Sequence, residues 1–220
     1  MKYIITKSML CMALMSAVSA HAGLINFIDL TDGAGGYGEG AWNPLTLVVD
    51  GVTVSITGHQ SGGGSAYAYL DSDNAGLGVC KTLNAGATTN TISSGNTTNS
   101  CNPSTDDNAT VDEFLRFIFD QDVLVNNLWF NNNHDGGFDA GDQVTIDGNE
   151  YSLATGYAGG INGVGSFLLS AGQALDVAYF NEQFYVSGME VTRVSVPEPG
   201  TLALLGLGLA GLGLTRRRRS

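Results

Sequence analysis

Hydrophobic and polar residues alternate on both sides of a two-residue break between positions 45 and 56. The order is Leu45-Thr46-Leu47-Val48-Val49, then Asp50-Gly51, then Val52-Thr53-Val54-Ser55-Ile56. A period of two turns one face of a strand to a core and the other to water, and Asp-Gly supplies the positive φ angles of a tight turn, so the segment predicts a β-hairpin. Val144-Thr145-Ile146, Asp147-Gly148 and Tyr151-Ser152-Leu153 repeat the pattern, with a turn that reads as slightly longer. Further strands are expected over 24–28, 66–70, 114–119, 123–130, 166–169, 175–180 and 184–194, with turns rich in Gly and Asn between them. No long stretch of this central region repeats its apolar residues at the helical period. Many short strands in one domain predict an all-β fold, an antiparallel two-sheet sandwich that is jelly-roll-like. Along 114–119, Leu115, Phe117 and Phe119 share the core face, and Phe114, Arg116 and Ile118 share the other. Val123, Val125 and Leu128-Trp129-Phe130 continue the core pattern, which places Trp129 inside. Trp42, between a Gly-rich loop and Asn43-Pro44, is the better candidate for an exposed aromatic.

The two ends of the chain follow different rules. Lys2 and Lys7 flank a short charged start, residues 8–18 are apolar and small, and Ser19-Ala20-His21-Ala22 precedes Gly23. This is the pattern of a secretory signal peptide over residues 1–22, a signal helix with Ala20 and Ala22 as the recognition pair; cleavage after Ala20 competes. Cys11 leaves with it. At the other end, Val196-Pro197-Glu198-Pro199-Gly200 leads into an apolar run from Thr201 to Leu214 and then Arg216, Arg217, Arg218 and Arg219. Pro197 and Pro199 keep the approach extended and open to a processing enzyme. The apolar run forms at most roughly 21 Å of helix, shorter than a hydrocarbon core of about 30 Å. Four arginines favour the cytoplasmic side, which leaves the body outside. Gly206, Gly208 and Gly211 match a dinucleotide-binding pattern, but no strand, helix or downstream acid stands in the required places.

This tail, residues 196–220, resembles the C-terminal signal of PEP-CTERM proteins, the bacterial exosortase substrates. The resemblance implies export by Sec-type machinery, a transient inner-membrane anchor, an exosortase as partner, and a final place at the cell surface or in the extracellular matrix of a Gram-negative, exopolysaccharide-producing, biofilm-forming bacterium. It covers about a tenth of the chain and implies nothing about the chemistry of the domain over residues 23–195.

Charge sharpens the picture of that domain. Its cations are Lys81, Arg116 and Arg193. The chain's 21 acidic residues less Glu198 leave 20 against these three, a formal charge of −17 that the whole-chain value of −12 conceals. Such a surface repels nucleic acid and anionic lipid and suits divalent cations. Cys80 and Cys101 remain after signal removal, and an exported chain sees an oxidising compartment, so one disulfide is expected. It closes a polar, Thr- and Asn-rich loop with little to bury.

Residues 131–142 are the most chemically pointed stretch. Asn131, Asn133, Asp135, Asp139 and Asp142 set oxygens at positions 1, 3, 5, 9 and 12 of a twelve-residue window with Gly136 at position 6, which approximates a calcium loop. Asn131 and Asp142 depart from that pattern, and the flanks read as strands. The alternative is an Asn/Asp/Gly loop that caps its own backbone. Asp71-Ser72-Asp73-Asn74 and Asp106-Asp107-Asn108 with Asp112-Glu113 are further acidic clusters, read as solvated. His59, at a strand exit, is expected in an exposed turn, and neither it nor His134 has an evident nucleophile partner. Two functions follow. The first is a non-catalytic surface or matrix protein that binds Ca2+, glycan or a matrix partner. The alternative is a secreted polysaccharide hydrolase using paired carboxylates.

Overall fold

The structure, a computed structural model, describes residues 22–32, 36–87, 99–153, 164–194 and 204–209. The expected signal peptide up to residue 21, the motif at Pro197, Glu198 and Pro199, and the cluster from Arg216 to Arg219 lie outside the described residues, and Ala22, the last residue of the expected signal, opens the first strand.

Thirteen named strands and one short helix follow one another as β1 (Ala22–Asn26), α1 (Phe27–Asp32), β2 (Gly40–Trp42), β3 (Leu45–Val49), β4 (Val52–Gln60), β5 (Tyr67–Asp71), β6 (Gly76–Cys80), β7 (Glu113–Phe119), β8 (Val123–Asn131), β9 (Gln143–Ile146), β10 (Asn149–Ser152), β11 (Phe167–Leu169), β12 (Ala174–Tyr179) and β13 (Tyr185–Arg193). They build two antiparallel sheets that do not close into a barrel, as the alternating pattern predicts for a sandwich. The first sheet runs β11-β8-β13-β6-β5-β2, and β1 lies along the same edge of β13 that receives β6. The second runs β10-β9-β12-β7-β4-β3. Between them, Ile56, Leu115, Phe117, Phe119 and Val177 of the second sheet meet Leu70, Leu77, Phe130, Val186 and Met189 of the first, all sealed from solvent.

Both Asp-Gly hairpins form. Asp50, Gly51, Asp147 and Gly148 all take positive φ angles, and the pairs Val49–Val52 and Ile146–Asn149 close them. The second turn therefore has two residues, shorter than the sequence suggests. β7 alternates as expected, with Leu115, Phe117 and Phe119 buried and Ile118 exposed.

Three expectations are corrected. Trp129 is not in the core. The register between β8 and β13 slips between Glu190 and Val191, so Asn126 is an extra residue on β8. This bulge moves the inward set from Val123 and Val125 to Leu128 and Phe130 and turns Trp129 outward, where its ring lies over Gly188. Trp42 is the buried tryptophan, 1% exposed and packed beside Tyr37 at 5.3 Å between ring centroids. His59 lies within β4 rather than in a turn. Its ring stacks on Phe114 at 4.8 Å, and Nε2 is 2.7 Å from Thr57 Oγ1.

The expected strand over 24–28 ends early. Asn26 accepts from the amide of Asp29 through Oδ1 and donates through Nδ2 to its carboxylate, which caps α1 and converts residues 27–32 to helix. β2 and β6 are strands that the pattern did not indicate. In the tail, 204–209 are helical and exposed, and among the described residues no helix is long and apolar enough to cross a membrane.

Candidate functional site

The outer face of the first sheet, away from the core, carries the polar chemistry. On β5, Ala68 and Leu70 point inward, so Tyr67, Tyr69 and Asp71 point outward. The chain between β6 and β7 folds back over this face. Cys80 and Cys101 form the expected disulfide, with Cα atoms 5.7 Å apart, and pack with Ala41 and Tyr69 in a small cluster of their own. Asn99 braces β2 by accepting from Ala41 N and donating to Ala41 O. Gly78 allows the close approach: a Cβ there would stand 2.0 Å from Asp107 O.

Under this cover the structure gathers acids that the sequence kept in separate clusters. Asp71 is 5% exposed. Burial, then the facing Asp107, pushes its pKa up to about 7. His134 Nδ1 stands 3.0 Å from Asp71 Oδ2, and Tyr185 donates from its hydroxyl to Asp107 Oδ1 at 2.7 Å. Burial also raises Asp107, and burial with the Asp107 hydrogen bond raises the Tyr185 phenol. Tyr69 donates to Glu39 Oε1 at 2.8 Å, and Ser72 donates to Glu39 Oε2. The solvated reading therefore fails at Asp71. It failed in the sequence because Asp71 and Asp107 lie far apart in the chain, and only the folded-back loop joins them.

The residues of the expected calcium loop hold different posts. Asn131 is buried and donates to the carbonyls of Asn74 and Ala75, and its Oδ1 accepts from Asn133 N at 3.0 Å. Asn133 reaches Asp73 O. Asp135 Oδ2 accepts from Asn108 Nδ2 at 2.7 Å, and Asp142 Oδ2 accepts from Asp139 N at 2.6 Å. Among the described residues no group of three or more His, Cys, Asp or Glu side chains is placed to hold a metal ion, so Asp135, Asp139 and Asp142 are not brought together.

The open face of the second sheet is simpler. Arg116 forms a bidentate pair with Asp176, both bonds 2.7 Å, and its guanidinium carbon lies 5.4 Å from the Phe114 ring centroid. Burial, then Arg116, lowers the pKa of the neighbouring His59.

Comparison with known proteins adds one finding. The family model of the PEP-CTERM protein-sorting motif matches residues 195–219, a span that contains Pro197, Glu198, Pro199 and the four terminal arginines. No curated protein and no solved structure matches the chain.

Proposed function

We propose, for a chain that carries the PEP-CTERM protein-sorting motif, that the sandwich is the non-catalytic cargo of an exosortase-dependent route to the cell surface or extracellular matrix. The motif implies export, sorting to the cell surface and an exosortase as processing partner. The observation that carries the rest is the junction. β13 ends at Arg193 and the matched motif begins at 195, so the sorting signal starts just beyond the folded domain.

The placement of the acids supports a role without catalysis. Asp71, whose raised pKa would suit a general acid, lies sealed among Asp107, His134 and Tyr185 instead of lining an open cleft. The disulfide suits an oxidising destination. The partner of the surface is exopolysaccharide or another matrix protein.

Truncation after Val196 tests the role of the tail: the shortened chain folds and leaves the cell, whereas retention of that chain in the inner membrane would contradict the proposal. The 131–142 loop has its own test. One side-chain oxygen each of Asn131 and Asp142 accepts from a backbone amide of the loop, and one of Asp135 accepts from Asn108, which supports a loop that caps its own backbone. Saturating Ca2+ then leaves the melting temperature unchanged. A rise that Asp135→Ala abolishes would return the metal to this loop.

A further inference from the structure

Beside the disulfide, three side chains meet for which sorting provides no role. Lys81 follows Cys80 at the exit of β6. Its Nζ stands 3.0 Å from Asp106 Oδ1 and 3.1 Å from Glu113 Oε1. The Glu113 side chain is fully buried at the start of β7. Its Oε2 accepts from Thr110 N at 2.7 Å and Thr110 Oγ1 at 2.9 Å, which fixes the carboxylate plane and aims the buried Oε1 at the amine. Asp106 is held to the same lysine, because its Oδ2 accepts from the Lys81 backbone N at 3.3 Å. One amine, one anchored carboxyl as acceptor and one buried, oriented carboxyl as proton carrier make up the parts of an amide-forming centre.

We propose that Lys81 and Asp106 condense, with Glu113 as the catalytic acid–base, to an intramolecular isopeptide bond that clasps the folded-back segment next to Cys80–Cys101. Glu113 Oε1 takes a proton from the Nζ ammonium, and the freed lone pair attacks Asp106 Cγ. Glu113 returns that proton to the departing Asp106 oxygen. The Cγ–O bond breaks, the N–C bond remains, and the two protons that Nζ gives up leave with that oxygen as water. The balance is ammonium plus carboxylate to amide plus water, and it needs no oxidant or cofactor. Amide formation is uphill between free groups in water. The fold holds the two groups together, so the step loses no entropy of association, and effective molarities on the order of 10⁵ M or more lower its barrier.

The electrostatics assign the proton route. Burial raises the pKa of Glu113 above the ordinary carboxyl value, which makes it a better proton acceptor than an exposed glutamate. Burial lowers the Lys81 pKa, but hydrogen bonds to Asp106 and Glu113 more than reverse this, so the amine rests as the ammonium, and the acceptor placed for its proton is Glu113 Oε1 at 3.1 Å. The bond forms from the folded geometry and is independent of the sorting tail.

The test is mass and cleavage on the full chain as recovered from an exporting host, reduced and unfolded before digestion. The domain has Lys81, Arg116 and Arg193 as its trypsin sites, so a free Lys81 separates residues before 82 from residues 82–116. The expected product lacks one water and resists cleavage after Lys81. Asp106→Ala and Glu113→Gln each restore both the water and the cut. Wild-type chain with its full mass and a cleavable Lys81 overturns the proposal. So does a missing water with Lys81 still cleavable, which would be an Asp-Gly succinimide. An unchanged crosslink in Glu113→Gln would remove the catalytic role given to that residue.

Discussion

Asp71 holds its proton more tightly in the folded chain than in the unfolded one, because burial and then Asp107 raise its pKa from 3.8 to about 7. The folded state therefore binds the extra proton between those values, and stability falls as pH rises through that window. Asp107, Glu113 and Glu182 are also raised by burial and act in the same direction, whereas the lowered His59 acts in the opposite one. A difference measurement isolates Asp71 from them. Asp71→Asn gains on the order of 2 kcal/mol at pH 8 and almost nothing at pH 4 in urea melts, flattening the slope. Parallel slopes for the two proteins would show that the facing groups, Asp107, Glu39, His134 and Tyr185, do not set that proton. The tryptophans give a second test at this scale. Trp42→Ala opens the core and costs about 3–5 kcal/mol. Trp129→Ala, on the outer face over Gly188, costs clearly less, and equal losses would contradict the bulge in β8. Sequence placed Trp129 inside because one extra residue, Asn126, reverses the facing of the β8 residues after it, and it placed Trp42 outside because alternation did not reveal β2.

Strands were legible wherever alternation persisted beside strong turn chemistry, as in β3–β4, β7 and β9–β10. β6 was hidden because its sequence, Gly-Leu-Gly-Val-Cys, looks like a loop. Its glycines answer to tertiary neighbours: a Cβ on Gly76 would stand 2.7 Å from Val186 O, and one on Gly78 would meet Asp107 O. Gly78→Ala thus pushes the disulfide segment off the sheet and costs about 1–3 kcal/mol by overpacking. Gly62→Ala, with open space around it, stays within about 0.5 kcal/mol. Equal thermal shifts in the two variants would mean that the segment does not press on β6. α1 carried a legible cap, Asn26 with Asp29, but the apolar run through Ile28 pointed to strand. The disulfide was fully legible from compartment and cysteine count. Its reduction costs about 3 kcal/mol and leaves the far-UV signature of both sheets in place. Loss of the sheets on reduction would show that the core between them does not stand alone.

At the scale of the whole molecule, β1 and β13 pair so that Ala22 stands opposite Thr192. The end of the expected signal peptide and the start of the sorting motif therefore lie next to each other at one end of the β1–β13 pair, and cleavage after Ala22 removes only the first residue of β1. Class, core face and sorting tail could be read from periodicity and from the order of Pro, apolar and Arg segments. The acidic cluster under the disulfide segment could not, because its members meet through long-range folding. The most direct test of the account compares cells that have an exosortase with cells that lack it, by fractionation and identification of both chain termini. The account predicts oxidised domain, shorn of residues 1–22 and of the tail, at the surface of the first, and chain with the tail intact in the inner membrane of the second. The same unprocessed chain in the cytoplasm of both, with Cys80 and Cys101 reduced, would contradict it.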